Sequence, residues 1–228
     1  MASFSLVDNV LPDILRRVAV LANDTVEGSA FVGLMMSVDD RLQTPVFTDE
    51  EAPEIDSTQY ETGIGPCLDS YRDGAIYTIP STREDQRWRP FSEACQAHGV
   101  LSTLSVPVLT DGKSVGALNF YSRQERAFDA AAETLGTAFA EQAAIVIANA
   151  RAYWDARALG EQLTQALESR VVIEQAKGLL MSTGLTSDAA FDMLRKASQR
   201  ENRKLHQIAA DLVANAERRA LSSEDGSA

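Results

Sequence analysis

A lysine and a glycine stand side by side inside the apolar, helix-forming stretch "VVIEQAKGLLMSTG" at residues 171–184. Lysine is among the residues least often buried, and glycine destabilises a helix interior by roughly 1 kcal/mol relative to alanine. The ammonium group of Lys177 can bind a phosphate or a carboxylate, and Gly178 allows a ligand to approach the backbone closely. The pair therefore marks a candidate binding surface.

Helical periodicity predicts which side of this helix is open to a ligand. At about 100° per residue, Arg170, Glu174 and Lys177 share one arc, which we expect to be free. The alternative is that Lys177 is an ordinary solvated lysine and that Gly178 makes a helix-packing contact. The predicted core face is a second arc formed by Val172, Ile173, Ala176, Leu179 and Leu180.

Charge is distributed unevenly along the chain. The formal net charge of the 228 residues is −12, which argues against nucleic-acid binding by the whole surface. Residues 1–167 hold 12 basic and 24 acidic side chains, whereas residues 168–220 hold 9 and 7. Residues 195–204 alone hold five basic side chains and one acidic side chain. The C-terminal part is therefore a locally basic module in an acidic chain.

The remaining composition narrows the class of protein. No apolar run reaches the length of a membrane helix, and the N-terminus does not resemble a signal peptide, so we expect a cytoplasmic protein without membrane association. Cys95 and His98 supply half of a zinc site, so we expect no metal and no other cofactor. Cys67 is predicted to be a small buried residue. Since no phosphate loop, paired carboxylates or histidine-based triad is evident, we expect a protein that is not an enzyme.

The order of predicted elements indicates an α+β protein. A helix near residues 8–22 precedes a hairpin around "VDD", and "TDGK" marks a second hairpin later in the chain. Helices in part of 48–62, after "GIGPC" and in "PFSEACQAHG" are predicted to cover this antiparallel sheet, and Trp88 and Phe91 are expected in the core or a lid. The predicted domains are an α+β domain at 8–150 that ends in a long helix, a helical linker at 151–167, a three-helix module at 168–220 and a disordered tail at 221–228.

One long helix is predicted from about Phe128 to Met181, a stretch without proline. Ile145, Ala152 and Leu159 fall on one heptad row with Leu163 beside them, so a parallel coiled coil in a homodimer is one interpretation. Packing of this helix within its own domain is the other. Two further helices follow, with Thr186 or Ser187 as the predicted N-cap of the first. The first is predicted to bury Ala190, Phe191, Leu194 and Ala197, and the second Leu205, Ile208, Ala209, Leu212, Val213 and Ala216.

The segment "RVVIEQAKGLLM…GLTSDAAFDMLRKASQRENRKLHQIA" resembles the ANTAR domain, a three-helix RNA-binding module of bacterial antitermination regulators. The resemblance covers about residues 168–213 and departs at Ala189, where many members carry an acidic residue. It implies binding of paired RNA stem-loops with six-nucleotide loops, which prevents a terminator hairpin from folding.

The resemblance also implies which side chains contact RNA, since specific recognition of RNA mostly targets unpaired loop bases. Lys177, Arg195, Arg203 and Lys204 are candidate phosphate or base contacts, beside Gly178. Candidates for base edges or sugars are Gln175, Ser198 and Asn202, although Ser198 fits a hydroxyl between helices equally well. No aromatic residue is expected on this face.

Residues 8–150 resemble a GAF domain, a sensor fold that binds small molecules, in element order and in stretches such as "ETGIGPCLDS" and "SVGALNFYS". This resemblance implies a possible small-molecule ligand whose identity is open. Together the two resemblances imply a signal-regulated RNA-binding antiterminator. The alternative is a DNA-binding helical transcription regulator with a sensor domain, which would present a recognition helix to the major groove.

Overall fold

The computed structural model describes residues 10–38 and 41–224. The chain divides into two compact units, and the boundary between them along the sequence lies between Trp154 and Asp155. The N-terminal unit contains an antiparallel sheet of five strands in the order β2-β1-β5-β4-β3. The strands are β1 (Phe31–Val38), β2 (Arg41–Phe47), β3 (Tyr77–Ile79), β4 (Ser102–Thr110) and β5 (Lys113–Ser122). The helices are α1 (Val10–Thr25), α2 (Glu51–Thr62), α3 (Pro66–Asp73), α4 (Arg89–Ala97) and α5 (Ala130–Met181).

Helices cover both faces of the sheet, so β1 and β5 are buried almost throughout instead of alternating between core and solvent. On one face, Leu34 and Leu118 pack with α1 and with Ile147 of α5. On the other face, Tyr121 packs with Ile55 of α2. Trp88 and Phe91 belong to this second cluster, as predicted for core residues. Each large apolar side chain buried in this way contributes about 1.5–3 kcal/mol to stability.

The turns that the sequence marks are formed by the residues expected to form them. Asp111 and Gly112 connect β4 to β5 with φ of 50° and 72°, the left-handed conformation that a two-residue hairpin turn of type I′ requires. Gly99 has φ of 69° just after α4, which stops this helix. The earlier turn includes Asp39 and Asp40, and the predicted first helix includes residues 8 and 9; these positions lie outside the described residues.

The C-terminal unit contains the end of α5 with α6 (Ser187–Glu201) and α7 (Leu205–Glu224). The Thr186 side chain caps α6 by accepting a hydrogen bond from the Ala189 amide at 3.3 Å. Ala176, Leu194 and Ala209, one from each helix, form the buried core. Because α7 extends to Glu224, residues 221–224 of the predicted disordered tail are helical, and residues 225–228 lie outside the described residues.

Two residues assigned to the core by periodicity lie at the surface instead. Leu179 and Phe191 are 36% and 40% exposed. The core of this unit is narrow, with Val172, Ile173 and Leu180 only partly buried around it. The three packed helices therefore bury a narrower part of each helix surface than the spacing of the apolar residues predicted. Among the described residues, no helix combines the length and apolarity needed to cross a bilayer.

Candidate nucleic-acid interface

Lys177 is less available than the sequence suggested, because its side chain is only 15% exposed and its ammonium group is paired. The Nζ atom lies 2.9 Å from both carboxylate oxygens of Glu174, one helical turn earlier. Spacing of three residues brings oppositely charged side chains together on a helix surface. Lys177 is therefore partly buried and paired on the helix face that was expected to be free, and its partner Glu174 is 59% exposed.

Gly178 has open space where its side chain would be. A Cβ added there would meet no atom outside its own helical turn within 4 Å, so the alternative of a helix-packing glycine is wrong. Gln175 is exposed on the same helix. Gln175 and Lys177 flank Ala176, the α5 contribution to the core, so they emerge on either side of the packed helix face.

Arg195 and Ser198 lie on α6, one and four residues after the core residue Leu194. Arg195 Nη2 lies 2.9 Å from Asp192 Oδ1, and both side chains are more than half exposed. The half-buried Ser198 hydroxyl donates a short hydrogen bond to the backbone carbonyl of Arg203. Ser198 therefore ties the end of α6 to the following turn, which supports the structural alternative kept open for this hydroxyl.

The turn between α6 and α7 carries the last three candidates. Asn202 caps α6 in the left-handed conformation, with φ of 50°. Arg203 Nη2 donates a hydrogen bond of 2.7 Å to Asp211, which raises the pKa of this guanidinium above its ordinary value. The exposed Lys204 precedes α7, and its carbonyl accepts hydrogen bonds from the amides of Gln207 and Ile208.

The described structure gathers these side chains around one small bundle but leaves few of their charges unpaired. Within residues 10–38 and 41–224, Lys177, Arg195 and Arg203 each form an ion pair, whereas Lys204 and Lys196 form none. Lys196 was not singled out from the sequence, although it lies in the basic run 195–204. The bundle therefore presents a surface where phosphates would compete with carboxylates.

A second polar cluster lies inside the N-terminal unit around the fully buried Asp56. Its carboxylate accepts hydrogen bonds from Thr44 Oγ1 at 2.7 Å, Gln59 Nε2 at 2.8 Å and Tyr121 Oη at 2.6 Å, and a longer one from Asn119 Nδ2 at 3.4 Å. Burial raises the pKa of Asp56, and the four hydrogen bonds oppose this effect. The side-chain carbonyl of Asn119 has no hydrogen-bond partner in the described structure.

Both cysteines are buried next to this cluster and are poor nucleophiles. Burial, followed by the nearby Asp56 charge, raises the pKa values of Cys67 and Cys95 well above that of a free thiol. Thiolates are the reactive form of cysteine. Cys67 is thus the small buried residue that was predicted.

A sheet covered by helices on both faces is followed by a helical bundle with basic side chains, so the chain forms two structural domains. A GAF domain model matches residues 9–148, and an ANTAR domain model matches residues 161–213. The chain belongs to the GAF family and carries a C-terminal ANTAR domain, the architecture of an RNA-binding antitermination regulator with a sensor domain. No curated protein matches the chain by sequence.

Solved structures share the N-terminal fold at low sequence identity. A GAF domain/HD domain protein from Geobacter sulfurreducens is 14% identical, with 62% of this chain and 94% of that chain covered and a TM-score of 0.51. GAF3 from Slr1393 of Synechocystis sp. PCC6803 is also 14% identical, with 64% and 98% covered and the same TM-score of 0.51. A type II free methionine-R-sulfoxide reductase from Thermoplasma acidophilum is 17% identical, with 60% and 94% covered and a TM-score of 0.47. These similarities concern the fold alone.

Proposed function

We propose that this protein binds paired RNA stem-loops with six-nucleotide loops in nascent transcripts and thereby prevents transcription termination. The ANTAR match at residues 161–213 is the observation that carries this proposal. An RNA segment held in paired stem-loops is unavailable to the terminator hairpin, so the polymerase continues. Binding is regulated by the signal that the GAF domain senses.

The proposed contacts divide by chemistry. Lys177, Arg195, Arg203 and Lys204 bind phosphates, and Gly178 lets the RNA backbone approach α5 closely. The contacts to base edges or sugars come from Gln175, Ser198 and Asn202. Ser198 and Asn202 also stabilise the turn after α6, so each residue would both fix the conformation of this turn and contact RNA.

The ion pairs on the bundle do not prevent RNA binding. Arg195 and Arg203 are 55% and 42% exposed, and their carboxylate partners are exposed as well. Exposed pairs of this kind contribute only about 0–1 kcal/mol. A phosphate backbone that releases counterions on binding can displace these carboxylates, and log Kd will then depend steeply on log salt.

We further propose that the protein is a homodimer joined through α5. Ile145, Leu159 and Leu163 are 53%, 57% and 57% exposed in the single chain, as is Leu167 at 64%. At about 100° per residue, these four side chains share one side of α5, with Arg157 and Glu161 on the other. A parallel pair of helices would bury this row and supply one ANTAR domain for each stem-loop.

The GAF domain is proposed to bind a small molecule and to act in the cytoplasm without catalysis. The GAF domain match supports this role, and the unpaired carbonyl of the buried Asn119 is an acceptor for a hydrogen-bond donor of such a ligand. The reductase among the similar structures has a TM-score below 0.5, so it supplies no argument for an enzyme.

A gel-shift competition tests the RNA-binding proposal. The full-length protein is titrated with RNA carrying two six-nucleotide stem-loops, with the same RNA lacking one stem-loop, and with duplex DNA of equal length. We expect the two-stem-loop RNA to bind most tightly and the protein to increase read-through of a terminator downstream of it during transcription in vitro. Preference for duplex DNA would instead establish the helical DNA-binding alternative.

A further inference from the structure

Phe191 is an exposed aromatic residue on α6, the helix that carries the candidate RNA contacts Arg195 and Ser198. Its side chain is 40% exposed, while its neighbour Ala190 and the nearby Leu194 are the buried residues of α6. The sequence had suggested that no aromatic residue would lie on the RNA-binding face. A single exposed apolar side chain is common on protein surfaces, so the role of Phe191 depends on the residues beside it on α6.

The position of Phe191 along α6 aligns it with Arg195 and Ser198. They follow Phe191 by four and seven positions, so the three residues fall within an arc of about 60° on the helix, and Asn202 caps the end of this helix in the left-handed conformation. The opposite side of α6 carries Met193, which is 48% exposed and about 200° away from Phe191. The aromatic ring therefore belongs to the same stripe as the polar candidates.

The composition of this stripe suits one unstacked nucleotide. An exposed ring offers a face on which a base can stack, and Arg195 offers a positive charge for the adjoining phosphate. Asn202 offers both a donor and an acceptor for a base edge. Loop bases are the unstacked bases of a stem-loop, and proteins commonly stack them on aromatic side chains.

We propose that Phe191 stacks on one base of the six-nucleotide loop and that the stripe Phe191–Arg195–Ser198–Asn202 is the part of the ANTAR domain that recognises this nucleotide. This inference rests on the proposed RNA-binding function and assigns the loop, rather than the stem, to α6. The stacking contact is uncharged, so it contributes affinity that does not depend on salt, in contrast to the phosphate contacts.

Phe191→Leu in the full-length protein tests this assignment, because leucine keeps apolar bulk but removes the aromatic face. Stacking contributes about 1–3 kcal/mol per base, so we expect affinity for the two-stem-loop RNA to fall by at least about fivefold. The slope of log Kd against log salt should not change. Phe191→Tyr should restore binding, and Met193→Leu, on the opposite side of the helix, should bind as the wild type does.

RNAs with a single abasic position in the loop identify the stacked base. We expect one abasic position to weaken binding by the wild type and to have no further effect on Phe191→Leu, since both changes remove the same contact. Wild-type affinity in Phe191→Leu, or additive effects at every loop position, overturns the proposal. Loss of dimer in light scattering would assign the ring to a second copy instead. Failure of the wild-type protein to bind the RNA at all would refute the proposed function itself.

Discussion

At the residue scale, Lys177 and Glu174 form a pair in which only the lysine favours RNA. We expect Lys177→Ala to weaken binding to all stem-loop RNAs and to lower the salt slope by about 0.7–1, because one phosphate contact is lost. Because Lys177 is only 15% exposed, thermal unfolding of the variant must show that the domain remains folded. Filter binding at several salt concentrations measures both affinity and slope.

Glu174→Gln is the matched control for the lysine change. It removes the carboxylate that competes for the ammonium group, so RNA affinity should remain equal or increase. Equal losses of affinity in both variants would show that the ion pair supports the helix and that Lys177 does not contact phosphate.

Asp56 is the residue whose protonation should govern the stability of the GAF domain. Since burial raises its pKa in the folded state, the folded form binds this proton more strongly than the unfolded form. The stability that this proton contributes is fully present below the pKa of Asp56 in the unfolded chain, and it is lost as pH rises through the pKa of Asp56 in the folded protein. The free energy of unfolding should then fall by up to about 1.4 kcal/mol per pH unit between these two values.

Asp56→Asn isolates this contribution from those of other acidic residues. An amide can replace the carboxyl group if Thr44 reverses its hydroxyl and Asn119 turns its unpaired carbonyl toward the new donor. Four neighbouring groups do not interfere, because their pKa values are raised and they stay neutral while Asp56 titrates: Tyr60, Cys67, Cys95 and Tyr121. Urea unfolding followed by tryptophan fluorescence should show a smaller fall with pH in the variant; identical pH profiles would contradict the assignment.

At the scale of elements, α5 contains two glycines that allow stability and binding to be separated. A Cβ at Gly178 or Gly160 would meet open space, so alanine at either position should raise stability by up to about 1 kcal/mol. Only Gly178→Ala should weaken RNA binding, since its new methyl group would stand where the RNA backbone approaches. Denaturant melts and RNA titrations of both variants check this, and equal RNA affinities would remove Gly178 from the interface.

The elements themselves were largely predictable, because local chemistry determines them. Asp111–Gly112 specifies its hairpin, Gly99 stops its helix and Thr186 caps α6, all within a few residues of sequence. The exposure of Phe191 was not predictable, since a helical pattern gives an apolar arc but not how much of that arc neighbouring helices cover. The pairing of Arg203 with Asp211 also joins two elements whose distance the sequence does not give.

At the scale of the whole molecule, the exposed apolar row of α5 predicts a dimer. Leu159→Glu places a charge in that row, so the proposed helix pair should dissociate and light scattering should report a shift toward monomer. Gln165→Glu adds the same charge on the opposite side of α5 and should leave the dimer intact. A wild-type protein that is already monomeric at micromolar concentration, with and without RNA, contradicts the proposal.

The N-terminal part of the sequence is acidic and the C-terminal module is locally basic, which favours RNA binding by the C-terminal module alone. The acidic N-terminal part repels phosphate, whereas the basic run 195–204 attracts it. This regional contrast was visible in the sequence. The ion pairs that reduce the contrast at Arg195 and Arg203 became apparent only with the side chains in place.

The small core of the ANTAR domain has a consequence for how long the protein survives. Three of its four buried residues are alanines, so we expect this domain to open locally at a lower free energy than the sheet domain. Proteases cleave such open forms, and a bound partner suppresses opening by mass action. Protein molecules engaged on a transcript should therefore outlast idle ones, which makes the supply of target RNA a determinant of the cellular amount of this regulator.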